Sequence, residues 1–128
     1  GQYNFSRCLS HGEKGAAVLA LTRFAEKYTE AAFLLCDRHC PYYKWSLRAM
    51  KSLPRLGDCA EKLDALLSAG TSDGKASAEA VEELCDRLIK ELIKDGLCSP
   101  CGDYLEPYAY RIRDRISSGE LRNMPIVI

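Results

Sequence analysis

The segment Pro41-Tyr42-Tyr43-Lys44-Trp45, followed by Ser46-Leu47-Arg48, gathers the chain's one tryptophan, two adjacent tyrosines and two cations. Aromatic rings beside Lys and Arg can stack on a flat ligand and neutralise an anionic one. Lys44 and Arg48 are four apart and share a helix face. Arg7, brought in by the N-terminal segment, is the third cation expected at such an anion site. The candidate substrate-binding set is therefore Arg7, Tyr42, Tyr43, Lys44, Trp45 and Arg48. The rings have a second use, because Tyr42, Trp45 and Ala49 fall on one helix face and Tyr43, Leu47 and Met50 on another. One of these faces must be core. The helical reading expects Tyr42 or Tyr43 and Trp45 to anchor the helix in the core, with Lys44 and Arg48 facing a cleft.

Other reactive groups carry less. Cys98-Ser-Pro-Cys101 has the spacing of a redox motif or half a zinc site. A thioredoxin-type motif needs a βαβ context, and a structural zinc needs four ligands. Cys36, His39 and Cys40 could complete such a set only if the fold joined the two segments. The plainer reading is a turn that bears two thiols, and no metal site is assigned. His39 and Cys40 are neighbours in a helix-exit turn and need not face each other; His11 has nothing to couple to. Paired carboxylates such as Glu82-Glu83 sit on expected wet faces. No catalytic residue is assigned within this chain.

A chain of 128 residues suggests one domain, 1–128, with one sizeable core. Lys plus Arg equals Asp plus Glu at 18 each, so the basic excess of a nucleic-acid binder is missing. No apolar run reaches bilayer length, and the polar start shows no signal peptide. Seven cysteines is an odd count in a chain rich in Leu, Ala and Ile. That favours buried free thiols in a reducing cytoplasm over a disulfide framework. The start lacks Met, so a processed product or part of a longer protein is expected.

The elements that must position these groups are helical. Residues 1–12 read as irregular. A first helix is expected from about Glu13 to Asp37, with Ala16, Ala17, Ala20, Leu21, Phe24, Tyr28, Ala31, Ala32 and Leu35 inward. Pro41 opens a second, to about Ser52, closed by Pro54 and Gly57. Asp58 is expected to cap a third, to about Ser68, with Leu63, Leu66 and Leu67 inward. After the loop Gly70–Lys75, Ser77 is expected to cap a fourth that runs to about Asp95, with Gly96 as its C′ residue. Its inward set is Val81, Leu84, Cys85, Leu88, Leu92 and Ile89. Asp103 and Glu106 have capping-box spacing for a fifth, although Pro107 could mark its first turn instead. Leu105, Ala109, Ile112 and Ile116 point inward there. The apolar tail Leu121–Ile128 is expected to be pinned to this core or to a partner. The fold class is an all-α bundle of about five helices with irregular N- and C-terminal segments.

Several stretches resemble a known family. Gly1-Gln2-Tyr3-Asn4, Arg7-Cys8-Leu9, Gly12-Glu13, Cys40 to Trp45, Arg48 and Leu53-Pro54 look like the bacterial domain of unknown function numbered 4037. Tyr108-Ala109-Tyr110, Ile112, Asp114-Arg115-Ile116 and Leu121-Arg122-Asn123 extend the likeness to almost the entire chain. The family is similar to the helical C-terminal half of nucleotidyltransferase-like proteins, in which an N-terminal α/β domain carries a Gly-Ser motif and metal-binding aspartates. The resemblance implies that this chain is the non-catalytic half, which helps form the acceptor-substrate site. Nucleotide and Mg would belong to the full-length protein, and the partner would be its N-terminal nucleotidyltransferase-like domain.

The expected function is thus a helical accessory, substrate-binding domain that completes a cleft for a small-molecule acceptor. The alternative is a helical interaction or dimerisation module, in which a homodimer would hide an apolar patch. Helical ribonuclease domains use an Arg-to-His spacing that neither Arg7 and His11 nor Arg38 and His39 meets.

Overall fold

The computed structural model describes residues 2–125; among them are seven helices and no strand, so the fold is all-α. The helices are α1 (Gln2–Ser10), α2 (Lys14–Leu35), α3 (Tyr43–Met50), α4 (Cys59–Ala69), α5 (Gly74–Lys94), α6 (Leu105–Asp114) and α7 (Gly119–Arg122). The chain divides into two compact units, Gly1–Leu88 and Ile89–Ile128. No helix among the described residues is long and apolar enough to cross a membrane.

The first unit differs from expectation at its start. Residues expected to be irregular form α1, because Phe5, 0 % exposed, draws that segment onto α2. Burying a Phe contributes roughly 1.5–3 kcal/mol, enough to offset the weak intrinsic helicity of so short a segment. Gly12, at φ 73°, then reverses the chain. The Glu13 N–H donates to the Cys8 carbonyl and the Gly12 N–H to the Leu9 carbonyl, a Schellman ending. The same pair of bonds closes α2 at Asp37, where Arg38 N–H reaches Phe33 O and Asp37 N–H reaches Leu34 O. Asp37 takes the left-handed conformation, φ 53°, that its short polar side chain tolerates.

The long helix α2 buries Ala17, Leu21, Phe24, Ala25, Tyr28, Thr29, Ala32 and Phe33. Ala16, expected inward, is exposed. Thr29 is admitted to the core because its hydroxyl donates to the Ala25 carbonyl at 2.8 Å. α2 packs against α1, α3 and α4, and α3 packs against α4. Leu63 and Leu66 of α4 are buried as expected, with Cys59 and Ala60, while Leu67 is half-buried.

Two expected caps are replaced. Asp58 makes no side-chain cap bond, since its carboxylate turns to Arg87 of α5, which donates to both oxygens at 2.5 and 3.1 Å. Asp73, not Ser77, caps α5 by accepting from the Ala76 N–H at 3.1 Å. Ser77 lies a turn further in, buried, and its hydroxyl donates to the Gly70 carbonyl at 2.9 Å. Within this unit α5 also meets α4 through Lys62 and Glu83, and α1 through Gln2, whose Nε2 donates to Glu82 at 2.8 Å.

In the second unit, Ile89, Cys98 and Tyr108 form a small core, against which Leu92, Ile93, Cys101, Leu105 and Ile112 pack. Gly96, at φ 69°, ends α5 as expected, with Leu97 N–H on Leu92 O and Gly96 N–H on Ile93 O. The cap position of α6 falls on Tyr104 and not on Asp103, and Pro107 sits in the first turn. The inward residue is Tyr108 and not Ala109, which is exposed. Tyr108 is 2 % exposed and satisfies its hydroxyl locally, donating to Gly102 O at 2.8 Å and accepting from Cys101 N–H at 3.1 Å. The expected apolar tail includes the exposed Leu121 and Met124, and its last part, 126–128, lies outside the described residues.

Candidate functional site

Helix α3 is two turns long. Pro41 precedes it, Tyr42 holds the cap position in an extended conformation, and Trp45 N–H closes the first turn on Tyr42 O at 2.9 Å. Ser46 bonds back to Tyr43 O at 3.0 Å. At the other end, Ser52 and Leu53 N–H groups reach Ala49 and Met50 carbonyls before Pro54 stops the helix. Met50 is its one fully buried side chain, flanked by half-buried Ser46, Leu47 and Ala49. The apolar run then continues inward through Leu53 and Leu56.

This corrects the expected role of the rings. Tyr42, Tyr43 and Trp45 are 63 %, 66 % and 54 % exposed, so none of them anchors α3 in the core. A helix this short buries one narrow stripe, and Met50 with Leu47 fills it. The rings stand outside with the cations. The Arg48 guanidinium lies 5.4 Å from the centroid of the Trp45 ring, and the Tyr42 and Tyr43 rings are 4.5 Å apart and tilted by 57°. Among the described residues neither Lys44 nor Arg48 meets a carboxylate. Both are exposed.

Arg7 is placed differently. Its Nη1 donates to Tyr3 OH at 3.0 Å and its guanidinium lies 5.7 Å over the Tyr3 ring, one turn away on α1. α1 packs on α2, whereas α3 packs on α2 and α4. The geometry therefore joins Tyr42, Tyr43, Lys44, Trp45 and Arg48 on one short helix and engages Arg7 elsewhere.

The sequence holds a further signal, in its local charge. Between Asp37 and Asp58 stand Arg38, Lys44, Arg48, Lys51 and Arg55, with no carboxylate among them. In a chain of zero net charge this is a marked local excess. Of these cations, Arg48 is the one that meets an exposed ring, that of Trp45.

Neighbouring thiols are quiet. Cys40 Sγ donates to Pro41 O at 3.6 Å, and burial, followed by Glu30 and Glu26, pushes its pKa up. A thiol held protonated is a poor nucleophile, so Cys40 with exposed His39 does not form an activated pair. All seven cysteines are free. Burial pushes Cys85 up to about 12, with Glu82 adding to the shift. Among the described residues no three His, Cys, Asp or Glu side chains are grouped to hold a metal.

The Tyr-Tyr-Lys-Trp segment also falls within a stretch recognisable at family level. Residues 1–46 match the family described as Domain of unknown function (DUF4037). The DUF4037 match takes in α1, α2 and the first turn of α3, including Cys40 to Trp45, and stops short of Arg48. Leu53-Pro54 and the segments from Tyr108 onward lie beyond it. No curated protein and no solved structure matches the chain.

Proposed function

We propose that this chain is a helical accessory domain whose α3 face receives an anionic, ring-bearing small molecule beside a nucleotidyltransferase-like domain. The observation that carries the reading is the exposure of Trp45, Tyr42 and Tyr43 next to Arg48 and Lys44. Three large rings in water represent apolar area that a stacked ligand would remove from solvent. The uncompensated cations would hold its negative charge. The reaction, with its nucleotide and Mg, is assigned to the partner domain, and this chain contributes binding and orientation. The seven free thiols support a reducing compartment, and we place the protein in the cytoplasm.

Trp45 is the chain's one tryptophan, so its emission reports on this face alone. Adenosine monophosphate, which joins a flat ring to a phosphate, is the simplest probe. Saturable quenching is expected, with affinity about tenfold weaker for Arg48→Ala, the loss of one charge-assisted contact. Unchanged emission across the millimolar range would remove the reading. The competing reading is a dimerisation module that hides the same rings. A mass that doubles with concentration, and reverts to the monomer in Trp45→Ser, would favour it.

A further inference from the structure

The second unit carries an open cavity of about 450 Å³ lined by Cys98, Ser99, Arg111, Asp114 and Arg115. Its charge balance is unequal. Asp114 contributes a carboxylate, but Arg113 pairs with it, with Nε and Nη2 both donating to Oδ1 at 3.3 and 3.1 Å. Arg115 commits one N–H to the Gly96 carbonyl and keeps the rest of its fork. Arg111 is exposed and meets no carboxylate among the described residues. Cys98 adds no opposing charge: burial first, then Cys101, pushes its pKa up against the pull of Arg115 and Arg111. A neutral thiol and the Ser99 hydroxyl are donors, as both guanidinium groups are.

Cations in the last turn of α6 also suit its dipole, yet a helix end carries only about half a charge. Arg111 and Arg115 exceed that, and the one carboxylate of the cavity is already paired with a third arginine, Arg113. Two planar forks with spare N–H groups line one open cavity together with Ser99, a donor set that suits the oxygens of a phosphoryl group.

We propose that this cavity binds a phosphoryl oxyanion through Arg111, Arg115 and Ser99, independently of the α3 face. Inorganic pyrophosphate, added to the full chain at constant ionic strength, is expected to move the amide resonances of Cys98, Ser99 and Arg111 saturably. Among the described residues Arg111 makes no hydrogen bond or ion pair, so Arg111→Gln should fold normally and bind about tenfold more weakly. Asp114→Asn, which frees Arg113, should bind more tightly. The proposal is overturned by shifts no larger than sodium chloride produces at the same ionic strength. It is equally overturned by an Arg111→Gln variant of unchanged affinity. Shifts confined to Tyr42–Arg48 would also sink it while leaving the α3 reading intact.

Discussion

Arg87 reaches across from α5 to grip both carboxylate oxygens of Asp58 at the start of α4, at 2.5 and 3.1 Å. The Arg87 hydrogen bond is the first cause of the lowered Asp58 pKa. A carboxylate whose folded pKa is depressed stabilises the fold above its unfolded pKa, about 3.9, and loses that contribution as pH falls through the folded value. Both side chains are more than a third exposed, so solvent limits the pair to about 0.2–1 kcal/mol. Asp58→Asn should therefore lower the urea midpoint slightly at neutral pH. The difference from the parent should vanish once Asp58 is protonated in both states. Urea titrations at a series of acidic pH values check this, and a gap that persists in strong acid would mean the side chain acts by packing.

Trp45 and Met50 make a paired test of how α3 sits. Trp45 is 54 % exposed and Met50 is fully buried. Trp45→Ala should cost less than about 1 kcal/mol, the scale of an exposed cation–π contact. Met50→Ala should cost about 2–5 kcal/mol. Denaturant unfolding followed by circular dichroism distinguishes them, and equal losses would return the tryptophan to the core.

Gly57 and Gly15 should respond oppositely to alanine. A Cβ at Gly57 would overlap the Leu53 carbonyl oxygen and stand 3.0 Å from that of Met50, both backbone atoms that cannot move aside cheaply. Gly57→Ala is expected to destabilise by about 1–3 kcal/mol. At Gly15, inside the first turn of α2, a Cβ meets nothing within 4 Å. Gly15→Ala should stabilise by about 0.4–1 kcal/mol. Thermal melts of the two variants should bracket the parent.

Tyr108→Phe removes the hydroxyl that serves Gly102 O and Cys101 N–H. Gly102 is exposed and Cys101 partly buried, so water can serve both groups and the loss should be about 0.5–1.5 kcal/mol. Faster amide exchange at Cys101 is the specific signature; unchanged exchange there would assign the ring a packing role alone.

What the sequence disclosed followed from what is local. The α2 and α5 stripes are periodic over several turns, and Gly96 ends α5 where its left-handed conformation is needed, so these were legible. α1 was not, because its formation depends on Phe5 finding α2, a contact that composition cannot display. Asp58 looked like a cap because caps are read from neighbours, whereas Arg87 lies far along the chain. Ser77 misled in the same way: Asp73 was nearer the true helix start, and the Ser77 hydroxyl had a loop carbonyl to serve. At the candidate site the residue types were visible, but their exposure was not. Hydrophobic rings beside Met50 compete for one buried stripe, and which residue takes it is settled by packing on α2 and α4.

The cation run between Asp37 and Asp58 bears on the behaviour of the whole chain in an electric field. Because the net charge is zero, the other segments together must carry the compensating carboxylates. The sequence thus holds one cationic block, balanced by a diffuse excess of carboxylates spread over the other segments. Its mean mobility should be near zero around neutral pH, with a sequence pI of about 6.9. A negatively charged resin or surface should nevertheless retain it, with the Arg38–Arg55 block leading the approach.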